Sequence, residues 1–526
     1  MADVTAEGQR SGGASADGTP GEAGAGPATA TVAVAGTARP ATAARGRAVL
    51  AAHWQFAVVA LAAVGIRCVV LLGYPPILFY SDSYNYITDA VSKYPDVIRS
   101  DGYPLFLYLL LPFRSFTLVA VLQAAMGVAI GVAIYAVLRR RGLPWWGATL
   151  AAVPVLFDAF ELQLEHLVMS DVLFLFLVTI AIVALCWFDR PPVLICVVAG
   201  LLIGYADLVR SVGWPLLIVL AAGLLLRRVN WKRVGLMVVV GLLPIAGYMA
   251  WYHGFYGQYA LDGSSGSFLY SRVSSFAECS KMSLPQNLKV LCDPTPLAAR
   301  PPSQEYLWSI NTPLYKVSKG NQFSKHADSM AGQFARDAIL SQPLAYLRVV
   351  ADDTLRTFTW KRTQSDITGS GPSFRFRATE TPVWANPTLW WVNYYPSDEA
   401  ALKRYGGPME GQPKVVQPWA DFIEGYQRFF YLRGTMLGAI LLIGAAGVVA
   451  RWRRWGGVAL MPWAVGALLV VLPPLTAGFS YRYMLGAVPV ACLAAGLALT
   501  REPRGRRKVG SPAVGSETAS SQPVGS

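Results

Sequence analysis

Charge is scarce in this chain. Asp, Glu, Lys and Arg make up 14% of the 526 residues, against 54% hydrophobic. That balance excludes an ordinary soluble domain and places the chain with polytopic membrane proteins. The charge present is lopsided, at a formal +14, but the basic residues sit at the ends of apolar runs. They therefore read as orientation signals facing lipid headgroups, and no nucleic-acid partner is expected. Cysteine is scarce too, with six residues. Cys68, Cys186, Cys196 and Cys492 lie inside apolar runs and read as small packing residues. Cys279 and Cys292 lie close together in polar sequence, where an oxidising extracytoplasmic compartment favours a structural disulfide. No metal-type Cys/His spacing accompanies them. Also missing are dinucleotide, Walker, HExxH and nucleophile-elbow patterns in a suitable context, an internal repeat and a lipidation signal. The first apolar run starts too late, and is too long, for a cleaved signal peptide.

Apolar runs recur from about Val49 to Thr500, each near the twenty residues a spanning helix needs. Ten spans are expected: 55–72, 116–138, 144–160, 172–188, 192–205, 212–226, 234–251, 429–450, 457–475 and 484–499. The run 105–113 is too short to cross. With ten spans, Arg45 and Arg47, Arg139–Arg141, Arg190, Arg227–Arg233, Arg451–Arg454 and Arg501–Lys508 all fall on one face. The positive-inside rule makes that face cytoplasmic. The expected fold class is thus an all-α polytopic membrane protein with a mixed extracytoplasmic domain over 253–428. Residues 1–48 and 501–526 read as disordered cytoplasmic tails, and the plasma membrane is the expected location. Within the outer segment, 327–360 carries helical periodicity interrupted at Pro343. This predicts two amphipathic helices suited to a bilayer surface.

The candidate chemistry lies in the outer segments. Asp82, flanked by Tyr80, Tyr84 and Tyr86, is placed to take a proton from a hydroxyl nucleophile or to bind a metal; the alternative is a solvated loop acid. Asp158, Glu161, Glu165 and His166 crowd the second outer segment before Asp171. If that segment is helical, the three acids share a face by the i, i+3, i+4 rule. Crowded carboxylates repel unless a cation or proton compensates, and hard oxygen ligands suit Mg²⁺ or Mn²⁺. His166 reads equally as ligand or as structural histidine. Arg210 and Arg482 depart from the cytoplasmic bias, and bidentate guanidinium contact with phosphate would explain them; headgroup contact is the alternative. Arg67, inside the first span, is expected to snorkel outward, with the bundle interior as the alternative. Trp360, Trp384, Trp390, Trp391, Tyr394, Tyr395 and Trp419 suit either sugar stacking or interfacial anchoring.

The chain resembles the GT-C membrane glycosyltransferases. The early acid Asp82, the Gly102–Leu107 stretch Gly-Tyr-Pro-Leu-Phe-Leu, the acidic Leu164–Phe174 segment and the late Tyr481-Arg482-Tyr483 carry the likeness. It is similar in particular to the bacterial branch containing phospholipid carrier-dependent sugar transferases and protein mannosyltransferase relatives. The resemblance implies transfer of a sugar from a polyprenyl-phosphate carrier to an acceptor glycan, lipid or protein on the outer face. It implies Asp82 as the base and matches Arg482 to the family's late outer arginine; on the guanidinium reading above, Arg210 and Arg482 would hold the departing phosphate. The second acid of the family's first-loop pair is missing here, since Ser83 and Tyr84 follow Asp82. Asp158, Glu161 or Glu165 would then supply that charge, with or without a divalent cation. The rival readings are a lipid-linked glycan transporter or flippase and a non-catalytic envelope assembly protein.

Overall fold

In the computed structural model, residues 41–361, 375–377, 396–410, 413–454 and 456–500 are described. Both expected tails and Trp384, Trp390, Trp391, Tyr394 and Tyr395 lie outside them, apart from residues 41–48. The chain divides into units 1–52 and 53–526. Helix α1 (Ala41–Gly73) begins in the first and has a non-helical residue at His53.

The membrane-type helices are α4 (Phe116–Arg140), α5 (Trp145–Phe157), α7 (Asp171–Trp187), α8 (Val193–Val209), α9 (Gly213–Leu226), α10 (Trp231–Tyr256), α19 (Gly434–Ala450), α20 (Leu460–Thr476) and α22 (Val488–Ala498), with α1. A helix thus occurs at each of the ten expected places. Among the described residues, five stretches are long and apolar enough to cross a membrane: Ala51–Gly73, Phe116–Arg140, Trp231–Tyr256, Gly457–Thr476 and Tyr481–Ala498. A sixth counts if α5 and the following α6 (Ala159–Glu165), bent by 55°, form one span. The first of these stretches is only 28% buried within the protein. Leu61, Leu150, Leu194, Leu243 and Leu442 project outward, exposed by 60–71%. Apolar surface of this extent, repeated helix by helix, is what lipid covers.

The apolar helices pack through small residues where backbones must meet. A Cβ on Gly204 of α8 would lie 2.1 Å from the Gly241 carbonyl oxygen of α10, and one on Gly200 would lie 2.3 Å from the Met237 carbonyl oxygen. Glycines four apart on one face allow this approach, the small-xxx-small device of membrane helices.

Short helices α2 (Ser81–Ser92) and α3 (Gly102–Leu110) precede α4, and α21 (Tyr481–Leu485) precedes α22. The segment between α10 and α19 contains α11 (Ser265–Ser274), α12 (Gln286–Lys289), α13 (Glu305–Trp308), α14 (Pro313–Val317), α15 (Lys325–Ser341), α16 (Pro343–Arg356), α17 (Pro396–Glu410) and α18 (Trp419–Gln427). The two amphipathic helices flanking Pro343 are present, because Pro fits the first turn of a helix but not its interior. The segment has its own core around Tyr270, Phe276, Leu288 and Phe334, and the Cys279–Cys292 disulfide is formed. The mixed extracytoplasmic domain expected over 253–428 is helical where it is described, and no strand forms among the described residues. Pro285, Pro294, Pro296, Pro301, Pro302 and Pro313 cut the sequence into turns too short for a ladder. A bridge between Leu78 and Leu167 belongs to the site described next.

Candidate functional site

Two carboxylates, each in the first turn of a helix, form the centre of the site. Asp82 sits in the first turn of α2. That turn is set by Ser83, whose hydroxyl accepts from the Tyr80 N–H at 2.9 Å. Asp171 opens α7. A carboxylate at a helix N-terminus is favoured by the unpaired N–H groups there. The two turns are tied together through the 166–170 segment. Leu78 N–H donates to the His166 carbonyl, and Val168 N–H donates to the Leu78 carbonyl. The Ser83 hydroxyl donates to the Val168 carbonyl at 2.8 Å, and Tyr86 and Ser170 share a hydroxyl bond of 3.1 Å.

Three arginines complete the constellation. Arg482 bridges both acids, with Nε 2.9 Å from Asp171 Oδ2 and Nη1 3.0 Å from Asp82 Oδ2. Arg99 donates to Asp82 Oδ1 at 2.8 Å, and Arg210 pairs with Asp171. Three guanidinium groups against two carboxylates leave one formal positive charge, in a place screened from water. Burial pushes the Asp82 carboxyl up, but Arg99 and Arg482 more than offset this and hold it below the ordinary carboxylate value. The neighbouring Tyr80 phenol is pushed up to about 12, by burial and then by Asp82, so it stays protonated and can donate. Arg210, Arg482, Asp171 and Tyr483 line a small cavity together with the apolar Phe174, Leu469, Leu472 and Pro473. Its volume of about 40 Å³ suits a few waters or the oxygens of an anion. A whole sugar requires it to open.

The predicted residues therefore divide. Asp82, Arg210 and Arg482 come together. Asp158, Glu161, Glu165 and His166 each take a separate role, and no cluster of three or more metal-ligating side chains occurs among the described residues. Asp158 does not share a helical face with Glu161 and Glu165. Its backbone is extended between α5 and α6, and its carboxylate accepts from Phe160 N–H at 2.7 Å and Leu432 N–H at 2.6 Å. A short acid at a helix start is more stable capping than extending the helix. His166 Nε2 lies 2.6 Å from the Tyr74 carbonyl, which requires that nitrogen to carry the proton. Glu161 is buried, with one carboxyl oxygen unpartnered.

Glu165 overturns the outward placement of Arg67. Arg67 is 4% exposed and grips Glu165 with two bonds of 2.6 Å, while its third nitrogen donates to the Ala63 and Leu156 carbonyls at 2.9 Å. A buried acid within reach neutralises the guanidinium, so it has no need to reach the headgroups. Gly127 makes room for the pair: a Cβ there would fall 1.8 Å from Glu165 Oε1.

Arg99 has a place in the site that sequence reasoning did not give it. Its signal was available, since it departs from the cytoplasmic bias as Arg210 and Arg482 do. Comparison of the chain with protein-family models, with curated proteins and with solved structures finds no match.

Proposed function

We propose that this protein is a membrane-embedded glycosyltransferase with ten spans, both termini cytoplasmic and its site on the opposite face of the plasma membrane. It would transfer a sugar from a polyprenyl-phosphate carrier to an acceptor hydroxyl or amine. One observation carries the reading: Asp82 and Asp171 are held by Arg99, Arg210 and Arg482 beside a cavity whose lining joins charged and apolar side chains. A lipid-linked phosphate has those same two halves.

In this mechanism the donor phosphate takes Arg210 and Arg482 as its partners. Arg482 then loosens from Asp82, which regains the basicity that the ion pair suppresses. The acceptor oxygen attacks the anomeric carbon as its proton passes to Asp82. The bond from that carbon to the phosphate oxygen breaks, and the phosphate leaves with the electron pair. Arg210 and Arg482 meet the charge that develops on it, which is where fixed cations lower a barrier most. The attack inverts the anomeric centre. A divalent cation is not required by this scheme, and EDTA treatment tests whether one takes part.

A second reading, a lipid-linked glycan transporter, is favoured by one observation: the buried Arg67–Glu165 pair lies within the helical bundle, as ion pairs of transport pathways do. The test is sugar release from radiolabelled polyprenyl-phosphate donors in membranes, wild type against Asp82→Asn. Transfer seen only in the wild type supports the enzyme. Donor crossing without transfer, in folded protein, supports transport.

A further inference from the structure

Helix α16 is amphipathic, and among the described residues one side is covered while the leucine-lined side is not. Val350, Asp353 and Thr357 face inward and are buried, and Asp353 holds Arg272 of α11 at 2.6 Å. On the opposite side Leu344, Leu347, Ala351 and Leu355 follow one another at steps of three and four residues, a single stripe at 3.6 residues per turn. The leucines are exposed by 80%, 56% and 65%. Leu340, at the end of α15, is also 73% exposed.

The placement of α16 identifies what covers that stripe. Near its start, the Tyr346 hydroxyl donates to the Leu475 carbonyl, at the end of α20, at 2.8 Å. Just past its end, a Cβ on Gly434, the first residue of α19, would lie 2.1 Å from the Thr357 carbonyl oxygen. Thus α16 runs from the end of one apolar helix to the start of another. Both are the ends remote from Arg451–Arg454. Beyond it, the half-exposed Trp360 is stacked by Arg433, whose guanidinium carbon lies 4.4 Å from the ring centre. Phe429 and Phe430 project nearby in sequence, 79% and 55% exposed. Indole rings stacked by arginine at the end of an apolar helix suit the headgroup level of a bilayer.

We infer that the leucine stripe of α16 is seated among the lipid acyl chains of the leaflet opposite the arginine clusters, as an in-plane interfacial helix. The occupant is bilayer lipid because the stripe is continuous with two membrane-type helices and lies level with their ends. The inference rests on the membrane reading of α19 and α20 and not on sugar transfer, so failure of a transferase assay leaves it standing.

Spin labels at Leu344→Cys and Leu347→Cys, in full-length protein carrying Cys68→Ser and reconstituted in phosphatidylcholine nanodiscs, test it. Gln333→Cys, on the exposed polar side of α15, is the comparison site. All three positions are exposed, so the labels leave packing intact, which a wild-type elution profile confirms. The expected result is a ratio of oxygen to nickel-chelate collision several-fold higher at 344 and 347 than at 333. Equal ratios at the three sites would mean a water-exposed stripe and overturn the inference. Protection from both reagents, with dipolar broadening between labels, would mean a second copy of the chain covers it and would overturn it as well.

Discussion

Asp82 is a poor base as it stands in the free protein, because two arginines hold it ionised. The kcat/KM profile, which reports the free enzyme, should therefore show no acid limb from Asp82 above its ordinary value of 3.8, and Asp82→Asn should remove turnover without altering the melting curve greatly. A limb near neutrality that vanishes in Asp82→Asn would contradict the ion-pair assignment. Asp101 behaves in the opposite way. Burial and the nearby Asp96 push it up to about 7, against the bond from the Tyr248 hydroxyl. A carboxyl raised in the folded state stabilises fully below its ordinary value of 3.8, and that contribution is lost as pH rises through about 7. Thermal midpoints measured from pH 4 to pH 8 should fall along this course, and Asp101→Asn should flatten it. The Arg67–Glu165 pair gives a third test at this scale. Glu165→Ala strands a buried guanidinium and should cost about 3–5 kcal/mol. The double variant Arg67→Met with Glu165→Leu should recover most of that in a thermal-shift measurement. If it also retains sugar transfer, the pair is structural and the transporter reading loses its support.

At the scale of elements, close helix approach is set by single glycines. An added methyl at Gly204 meets the Gly241 carbonyl, which belongs to backbone and cannot swing aside. Gly204→Ala should separate α8 from α10 and cost about 1–3 kcal/mol, read as a lower melting temperature in detergent. An unchanged midpoint would show the two helices are not in contact there. The same elements show where the sequence was legible. The 3.6-residue period and Pro343 predicted α15 and α16 because both are local properties of the chain. The spacing rule puts Asp158 on a helical face, but its bonds from the Phe160 and Glu161 N–H groups make it the cap of α6, a local alternative that the spacing rule does not weigh. The partner of its other oxygen, the Leu432 N–H, lies 274 residues away and was not legible.

For the whole molecule, the proposed topology puts the arginine clusters on the cytoplasmic face, and this is open to direct test. A cysteine replacing Arg190 should react with an impermeant maleimide only after permeabilisation, whereas one replacing Gln333 should react in intact cells, both in a Cys68→Ser background. Labelling of both in intact cells would refute the topology, and with it the outer location of Asp82 and Arg482.

The sequence by itself determined that the chain is helical and apolar, where its helices lie, and which residues depart from the charge bias. These follow from composition and period, which act over a few turns. Tertiary structure decided what those residues do. Arg67 turned inward because Glu165, 98 positions away, offered a buried partner. Arg99 entered the site through Asp82, and Arg482 reached across 400 positions to the same carboxylate. Ion pairs and hydrogen bonds form between groups that folding brings within about 3 Å, and no local pattern records which distant side chain will be there.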